Sequence, residues 1–190
     1  MPLKLGTISK TIPYSKAYLG DILKFQKVSA IEFTSCIFPT SWTAVSGYTD
    51  YEASNEYGEW TINAYGVYAS RPIKNAFDGD ASTMWSGSKL SSGGSGAITI
   101  TYSGAILPKE IYLKRQSMGA STIQGFNVKT NQWETIYNLA AQDRTAVEQT
   151  LQIETGNFYS SFRINCAFYA STNPYPFIYE FKITKGSYIK

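Results

Sequence analysis

Alternation of apolar and polar residues with a period of two is the feature that most constrains the fold of this chain. In "AITITY", Ile98, Ile100 and Tyr102 fall on one face and two threonines on the other. Successive side chains of a strand point to opposite faces, so this pattern predicts half-buried strands. "FRINCAF" (162–168) and "FIYEFKIT" (177–184) repeat it, with Phe177, Tyr179, Phe181 and Ile183 expected on one side of the last strand.

Turn residues separate these short strands. They are Gly93 to Gly96, Pro108, Asn131, Gly156 and the segment "STNPYP" at 171–176. Many short strands at this spacing, with little helical periodicity, favour an all-β, antiparallel jelly-roll β-sandwich.

The composition excludes several classes of site. Histidine is absent, which rules out Ser-His-Asp and Cys-His catalytic arrangements and removes the commonest metal ligand. Cys36 and Cys166 stand outside any C-x-x-C motif, so they are either free, buried thiols or one disulfide.

The net charge of +3 is unevenly distributed. Residues 1–30 hold five lysines and one aspartate, whereas residues 31–190 hold twelve basic and thirteen acidic residues. Nucleic-acid binding depends on clustered basic residues, so we expect no nucleic-acid partner for the body of the chain. Neither a transmembrane segment nor an N-terminal signal peptide is predicted, and we expect no membrane insertion.

We place a domain boundary near residue 37, because the first residues lack the turn clusters and tryptophans of the remainder. Residues 1–36 are predicted to form a short, basic N-terminal β arm that attaches to a partner, and residues 37–190 the sandwich. The alternative is an N-terminal hairpin that completes the sandwich.

The stretch "NAFDGDASTMW" (75–85) is the best candidate for a metal loop. An EF-hand needs Gly at its sixth position and Glu at its twelfth, whereas counting from Asp78 this chain offers Thr83 and Lys89. A tight Asp-Gly-Asp turn can instead direct carbonyl and carboxylate oxygens at a hard cation, with Thr83 adding an oxygen. Calcium suits this because it accepts six to eight oxygens at flexible angles. The alternative is an ordinary polar turn without metal.

Taken in order, "NAFDGDASTMW", "IYLKRQ", "IQGFNVKTNQWETI" and "FIYEFKITKG" resemble the coagulation factor V/VIII type C, or discoidin-like, domain. The likeness is greatest to its bacterial carbohydrate-binding branch, whose fold is galactose-binding-domain-like, and it covers roughly residues 40–187. The resemblance implies a structural Ca²⁺ ion. Its ligands would be Asp78, Asp80, Thr83 and Glu180, with main-chain oxygen from around Asn75.

The resemblance also implies that Arg115 presents its guanidinium to a sugar at one end of the sandwich. Galactose-binding relatives often have a histidine after the loop tryptophan, where this chain has Ser86. Sugar sites also need an exposed aromatic face. Tyr169 and Tyr175 are the first candidates by position, followed by Trp60 and Tyr68.

We expect a binding protein rather than an enzyme, since the cluster Glu52, Glu56 and Glu59 lacks the spacing of an acid/base pair. The arrangement of a basic arm before a discoidin-like domain resembles accessory proteins of bacteriophages. It implies an adhesion module on the virion, attached to virion proteins through the arm and binding surface glycan, with a homo-oligomer as a further expected partner. The alternative is a structural decoration protein of the capsid or tail that binds no sugar.

Overall fold

A computed structural model describes residues 29–68, 70–170 and 174–190. Eleven strands and one short 3₁₀ helix, Ile73–Ala76, make up the regular structure of these residues. The strands are β1 (Ile31–Phe33), β2 (Thr43–Ser46), β3 (Asp50–Asn55), β4 (Gly58–Ala64), β5 (Trp85–Ser86), β6 (Ser95–Gln116), β7 (Ser121–Asn127), β8 (Gln132–Leu139), β9 (Val147–Gln152), β10 (Tyr159–Ala167) and β11 (Phe177–Ile189). The predicted all-β, antiparallel sandwich is confirmed.

The strands form two layers that share β6. In one layer the order is β2-β3-β4-β6-β10-β7-β8. In the other, the second half of β6 pairs with β9 and β11, and β11 also pairs with β1 and β5. Every one of these pairings is antiparallel.

Strand β6 passes from one layer to the other near Gly104. Its residues 98–102 pair with β4, and its residues 105–116 pair with β11. A Cβ atom at Gly104 would lie 2.1 Å from the carbonyl oxygen of Ile189. Only glycine therefore allows the end of β11 to approach this closely.

The core confirms the alternation of the inner strands and corrects that of the last. Ile98, Ile100 and Tyr102 are buried together as expected. In β11, however, Ile178 is buried while Phe177 and Tyr179 are half-buried. The β6–β11 register shifts between Ile178 and Glu180, and such a bulge moves the following side chains to the other face.

Strand β1 alters the predicted domain boundary. Ile31–Phe33 pairs with residues 186–188 of β11, and Phe33 is buried in the core. Residues 31–36, assigned to the arm by the sequence, thus belong to the sandwich. The rest of the predicted arm, residues 1–28, lies outside the described residues. Cys36 and Cys166 are both free.

The loops at one end of the sandwich meet, and we call this region the loop end. It comprises 65–68, 70–72, 86–94, 115–120, 140–147, 168–170 and 174–177. Backbone hydrogen bonds join its segments, from Gly87 N to Pro176 O at 3.0 Å and from Phe168 N to Gly94 O at 3.0 Å. At the opposite end, the rings of Tyr57 and Tyr188 pack edge to face. No helix in the described part of the chain has the length and hydropathy of a membrane span.

Candidate functional site

The Asp78 loop is held to the core by the residues that precede it. Ile73 and Ala76 of the 3₁₀ helix are fully buried and Phe77 is 3% exposed, so the chain that follows is fixed in position. Gly79 has a φ of 84°, a left-handed conformation that a residue with a side chain adopts only at a cost. The Asp-Gly-Asp turn is therefore specified by its central glycine.

Several oxygen atoms of this loop converge on the hydroxyl of Thr83. Its Oγ1 lies 2.9 Å from Asp78 Oδ2, 3.1 Å from the Asp80 carbonyl oxygen and 3.3 Å from the Asn75 carbonyl oxygen. One hydroxyl proton can be donated to only one of these acceptors at a time. The cluster is thus rich in oxygen lone pairs and poor in protons.

The carboxylate of Asp80 faces away from this cluster. Its Oδ1 accepts hydrogen bonds from the Ser82 hydroxyl at 2.6 Å and the Ser82 N–H at 2.9 Å. These bonds lower the pKa of Asp80. Asp80 therefore offers its carbonyl oxygen to the cluster, whereas Asp78 offers its carboxylate.

Glu180, on β11, brings a buried carboxylate to the same place. Its side chain is 0% exposed, and neither of its oxygens has a hydrogen-bond partner among the described residues. Lys182 Nζ lies 3.1 Å from Oε2, which makes an ion pair but not a well-directed hydrogen bond. Burial raises the pKa of Glu180 to about 7; Lys182 opposes the increase and the negative charge of Asp78 adds to it.

This arrangement fits a hard cation better than a soft one. The structure brings Asn75, Asp78, Asp80 and Thr83 together and sets Glu180 beside Asp78. In the described ranges no three His, Cys, Asp or Glu side chains gather as a metal-binding group. A cation here would rely on two carboxylates and several neutral oxygens, which is the donor set of calcium.

Two of the predicted aromatic residues meet at the loop end. The rings of Tyr68 and Tyr175 stack with their centroids 3.9 Å apart and an interplanar angle of 22°. Tyr68 is 43% exposed. The two residues belong to loops far apart in sequence, and the pair forms an aromatic surface at the end of the sandwich.

Arg71 and Ser86 lie next to this pair and were not predicted. Arg71 N–H donates to the Tyr68 carbonyl at 3.3 Å, and its guanidinium carbon lies 5.7 Å from the centroid of the Phe177 ring. The Ser86 hydroxyl is 0% exposed and has no hydrogen-bond partner among the described residues. The spacing of Arg71, three residues after Tyr68, was the only sequence signal that could have indicated it.

Arg115 is inside the sandwich rather than on its surface, which corrects its prediction as a presented guanidinium. It is 1% exposed because it lies on the inward face of β6, in line with Ile111 and Leu113. Its Nη2 donates to the Ala140 carbonyl at 2.9 Å, while Nε and Nη1 have no partner among the described residues. Burial lowers the pKa of this guanidinium.

Trp60 is a core residue, which corrects its prediction as a ligand contact. It is 2% exposed, stacks on Tyr102 at 4.5 Å and donates its indole N–H to Asn55 Oδ1. It points inward because the alternation of β4 buries every second residue. Tyr169 is 36% exposed at the loop end, but it has no part in the Tyr68–Tyr175 stack.

The predicted glutamate cluster borders a groove of about 400 Å³ on the outside of β2, β3 and β4. Glu52 and Glu59 contribute to its lining, together with Ser54 and Thr61. Both glutamates are exposed. Two exposed glutamates of this kind form part of a solvated polar surface.

No protein-family model matches the chain, and no curated protein matches its sequence. Solved structures do match. The family 32 CBM (carbohydrate-binding module) from C. perfringens NanJ, in complex with galactose, superposes with a TM-score of 0.53 at 13% identity, covering 67% of this chain and 93% of that one.

This chain has the galactose-binding-like jelly-roll fold. A second jelly roll, chitosan-binding module 2 from a chitosanase/glucanase of Paenibacillus sp. IK-5 in complex with chitotriose, matches with a TM-score of 0.51 and 19% identity over 67% of this chain and 98% of that one. A family 89 glycoside hydrolase from C. perfringens matches at a TM-score of 0.52 and 18% identity, over 69% of this chain but only 14% of the hydrolase. At these identities the likeness establishes the jelly-roll fold alone.

Proposed function

We propose that this chain is a non-catalytic carbohydrate-binding module of the discoidin-like type that binds glycan through the loop end. The stacked, partly exposed pair Tyr68–Tyr175 is the observation that carries this proposal. An aromatic face receives the apolar face of a pyranose ring and excludes water from it. The neighbours in complex with galactose and chitotriose support a carbohydrate ligand, and the absence of histidine argues against a catalytic site.

A glycan array probed in calcium-containing buffer tests this function. We expect the chain to bind at least one glycan, and Tyr68→Ala or Tyr175→Ala to weaken that binding by about fivefold or more, since losing the apolar contact of an aromatic ring costs roughly 1–3 kcal/mol. Tyr48→Ala is the matched control, because Tyr48 is 50% exposed and lies outside the pair. An array with no bound glycan would overturn the proposal and favour the decoration protein.

We also propose that the Asp78 loop and Glu180 hold a structural Ca²⁺ ion. The buried Glu180 carboxylate, whose oxygens have no hydrogen-bond partner among the described residues, and the convergence of oxygens on Thr83 support it. Such an ion neutralises the buried carboxylate and links the loop to β11. A cation at a hundred times its dissociation constant stabilises a fold by about 2.7 kcal/mol. Chelation should then lower the Tm by about 5–10 °C for a chain of this size, and an unchanged Tm would exclude the ion.

The setting that we propose is the surface of a bacteriophage particle, with the basic N-terminal segment attached to virion proteins. Strand β1 begins beside Tyr188, at the end of the sandwich opposite the loop end. A module attached there would direct its tyrosine pair outward, and display in many copies would raise its avidity. Mass spectrometry of purified phage particles should detect the chain in many copies per particle; its absence from particles would exclude this setting.

A further inference from the structure

We infer that the loop end binds a negatively charged saccharide, one that carries a carboxylate such as a uronic acid, and that Arg71 binds this carboxylate. The inference rests on the proposed glycan-binding function and names the class of ligand. It depends on three features of the loop end: its charge, the position of Arg71 and a second unpaired guanidinium beneath the surface.

The charge of the loop end is strongly positive compared with the opposite end. Its segments contain four basic residues and one acidic residue, namely Arg71, Lys89, Arg115, Arg144 and Asp143. The segments at the opposite end are 30–37, 55–59, 103–109, 127–131, 153–158 and 186–190. They contain four acidic and three basic residues, namely Glu32, Glu56, Glu59, Glu154, Lys109, Lys129 and Lys190. A potential of one sign concentrates ligands of the other sign at that end.

Arg71 is positioned to recognise a carboxylate directly. Its guanidinium carbon lies 5.7 Å from the centroid of the Phe177 ring, and within the described residues its Nη1 contacts the Met84 sulfur, at 3.6 Å. Within 29–68, 70–170 and 174–190, no carboxylate forms an ion pair with it. A cation–π contact with an aromatic ring does not use the N–H groups of a guanidinium, so they can still bind a carboxylate in bidentate fashion.

The same residue is next to the aromatic surface. Its backbone contacts Tyr68, and Phe177 follows Tyr175 by two residues, so Arg71 touches both segments that supply the stacked rings. In the inferred complex, a pyranose ring packs on the tyrosine pair and directs its C5 substituent towards the guanidinium. The buried Ser86 hydroxyl, which has no hydrogen-bond partner in the part of the chain that the structure describes, lies in the strand paired with Phe177.

Arg115 strengthens the positive potential without contacting the ligand. It is 1% exposed, and its hydrogen bonds go to two neutral acceptors, the Ala140 carbonyl and the Gln149 side chain. As with Arg71, no carboxylate of the described part of the chain pairs with it. A charge that is neither solvated nor paired acts over a longer distance, because the surrounding dielectric is low.

Two pairs of sugars that differ only at C6 test the inference: D-galacturonic acid against D-galactose, and D-glucuronic acid against D-glucose. We would measure affinities by NMR titration in calcium-containing buffer at about 0.15 M salt. One charge-assisted bidentate contact should make each acid bind about tenfold to a hundredfold more tightly than its neutral counterpart. Arg71→Gln should remove that preference and Arg71→Lys should retain part of it.

Arg163→Gln is the matched control. Arg163 also stacks on an aromatic ring, 4.1 Å from the centroid of Trp133, but it lies on the outer face of β10. Equal or tighter binding of the neutral sugars would overturn the inference and leave glycan binding intact. A preference for acids that survives in Arg71→Gln would overturn the role of Arg71. If neither these sugars nor any glycan on the array binds, the proposed function itself fails.

Discussion

Glu180 and Arg115 are both buried, charged side chains with unpaired polar atoms, yet their surroundings differ. Glu180 lies beside Asp78 and the oxygen-rich loop, with Lys182 3.1 Å away. Arg115 has only neutral acceptors. Burying a charge costs several kcal/mol unless it is well paired. For Glu180 we propose that a bound cation offsets this cost, and for Arg115 we infer that the charge provides a positive potential at the loop end.

The largest effect should come from Glu180→Gln. In calcium the variant should lose most of the roughly 2.7 kcal/mol that the ion contributes, because a neutral amide no longer attracts the cation. Thermal unfolding with calcium and with chelator measures this. Glu52→Gln, which changes an exposed carboxylate on another face, is the control.

In chelator at high pH, Glu180→Gln should be more stable than the wild type, which is the reverse of their order in calcium. The folded-state pKa of Glu180 is raised from 4.5 to about 7, so the stability that this carboxyl group contributes to the metal-free wild type is fully present below pH 4.5 and is lost as pH rises through 7. Glu180→Gln carries no such charge and should be the more stable protein at pH 8. If calcium raised the Tm of the wild type and of Glu180→Gln by the same amount, Glu180 would not be a ligand of the ion.

Arg115→Met should change the free energy of unfolding by less than Glu180→Gln does, and should raise it rather than lower it. Methionine fills a similar elongated volume without a buried charge, and its gain should exceed the loss of the bond to Ala140. We expect the free energy of unfolding to rise by about 1–2 kcal/mol. Chemical denaturation measures this change, with Arg163→Met as the surface control. A decrease larger than that of the control would show that the buried guanidinium stabilises the fold.

Lys182→Met tests whether Lys182 competes with a cation for the Glu180 carboxylate. The Lys182 side chain is 27% exposed and forms an ion pair with Glu180, so we expect it to compete with a cation for the same carboxylate. Partly exposed ion pairs are worth up to about 1 kcal/mol, so its removal should tighten calcium binding by up to about fivefold. Calorimetric titration with calcium tests this. Lys114→Met is the control, since Lys114 pairs with Glu148, and an equal effect in both variants would contradict competition.

The smallest effect concerns Glu110, a half-buried carboxylate with several hydrogen-bond donors, which contrasts with Glu180. Lys185, Gln152 and Thr184 hydrogen-bond to it and lower its pKa from 4.5 to about 2. A lowered pKa contributes stability above pH 4.5 that is lost as pH falls towards 2. Glu110→Gln should therefore lose less stability than the wild type as pH falls between these values. If the stability of the variant fell with pH as steeply as that of the wild type, other carboxylates would determine the acid dependence.

Local pattern predicted the inner strands well and the outer ones less well. Ile98, Ile100 and Tyr102 follow the pleat because β6 is paired on both sides there. The alternation in β11 failed at the bulge after Ile178, which depends on the register with β6 and leaves no local signal. Trp60 was misjudged for a related reason: its burial depends on the layer that covers β4.

The candidate site, too, could be predicted from the sequence only in part. The Asp78 turn could be recognised because the oxygen atoms that converge there lie within a few residues of one another. Tyr68 and Tyr175 were separate candidates, but their stacking depends on the pairing of β5 with β11, which brings the two loops together. Arg71 was missed because nothing in a single arginine indicates what lies beside it.

The sequence by itself determined the strand period, the Asp-Gly-Asp turn and the lack of histidine, since each depends on neighbouring residues or on composition. Only the tertiary structure decided that Glu180 lies beside Asp78, that Arg115 is buried without a counter-charge and that Tyr68 meets Tyr175. The physical reason is that these contacts join residues about 30 to 100 positions apart, and antiparallel pairing between distant strands, not local pattern, brings them together.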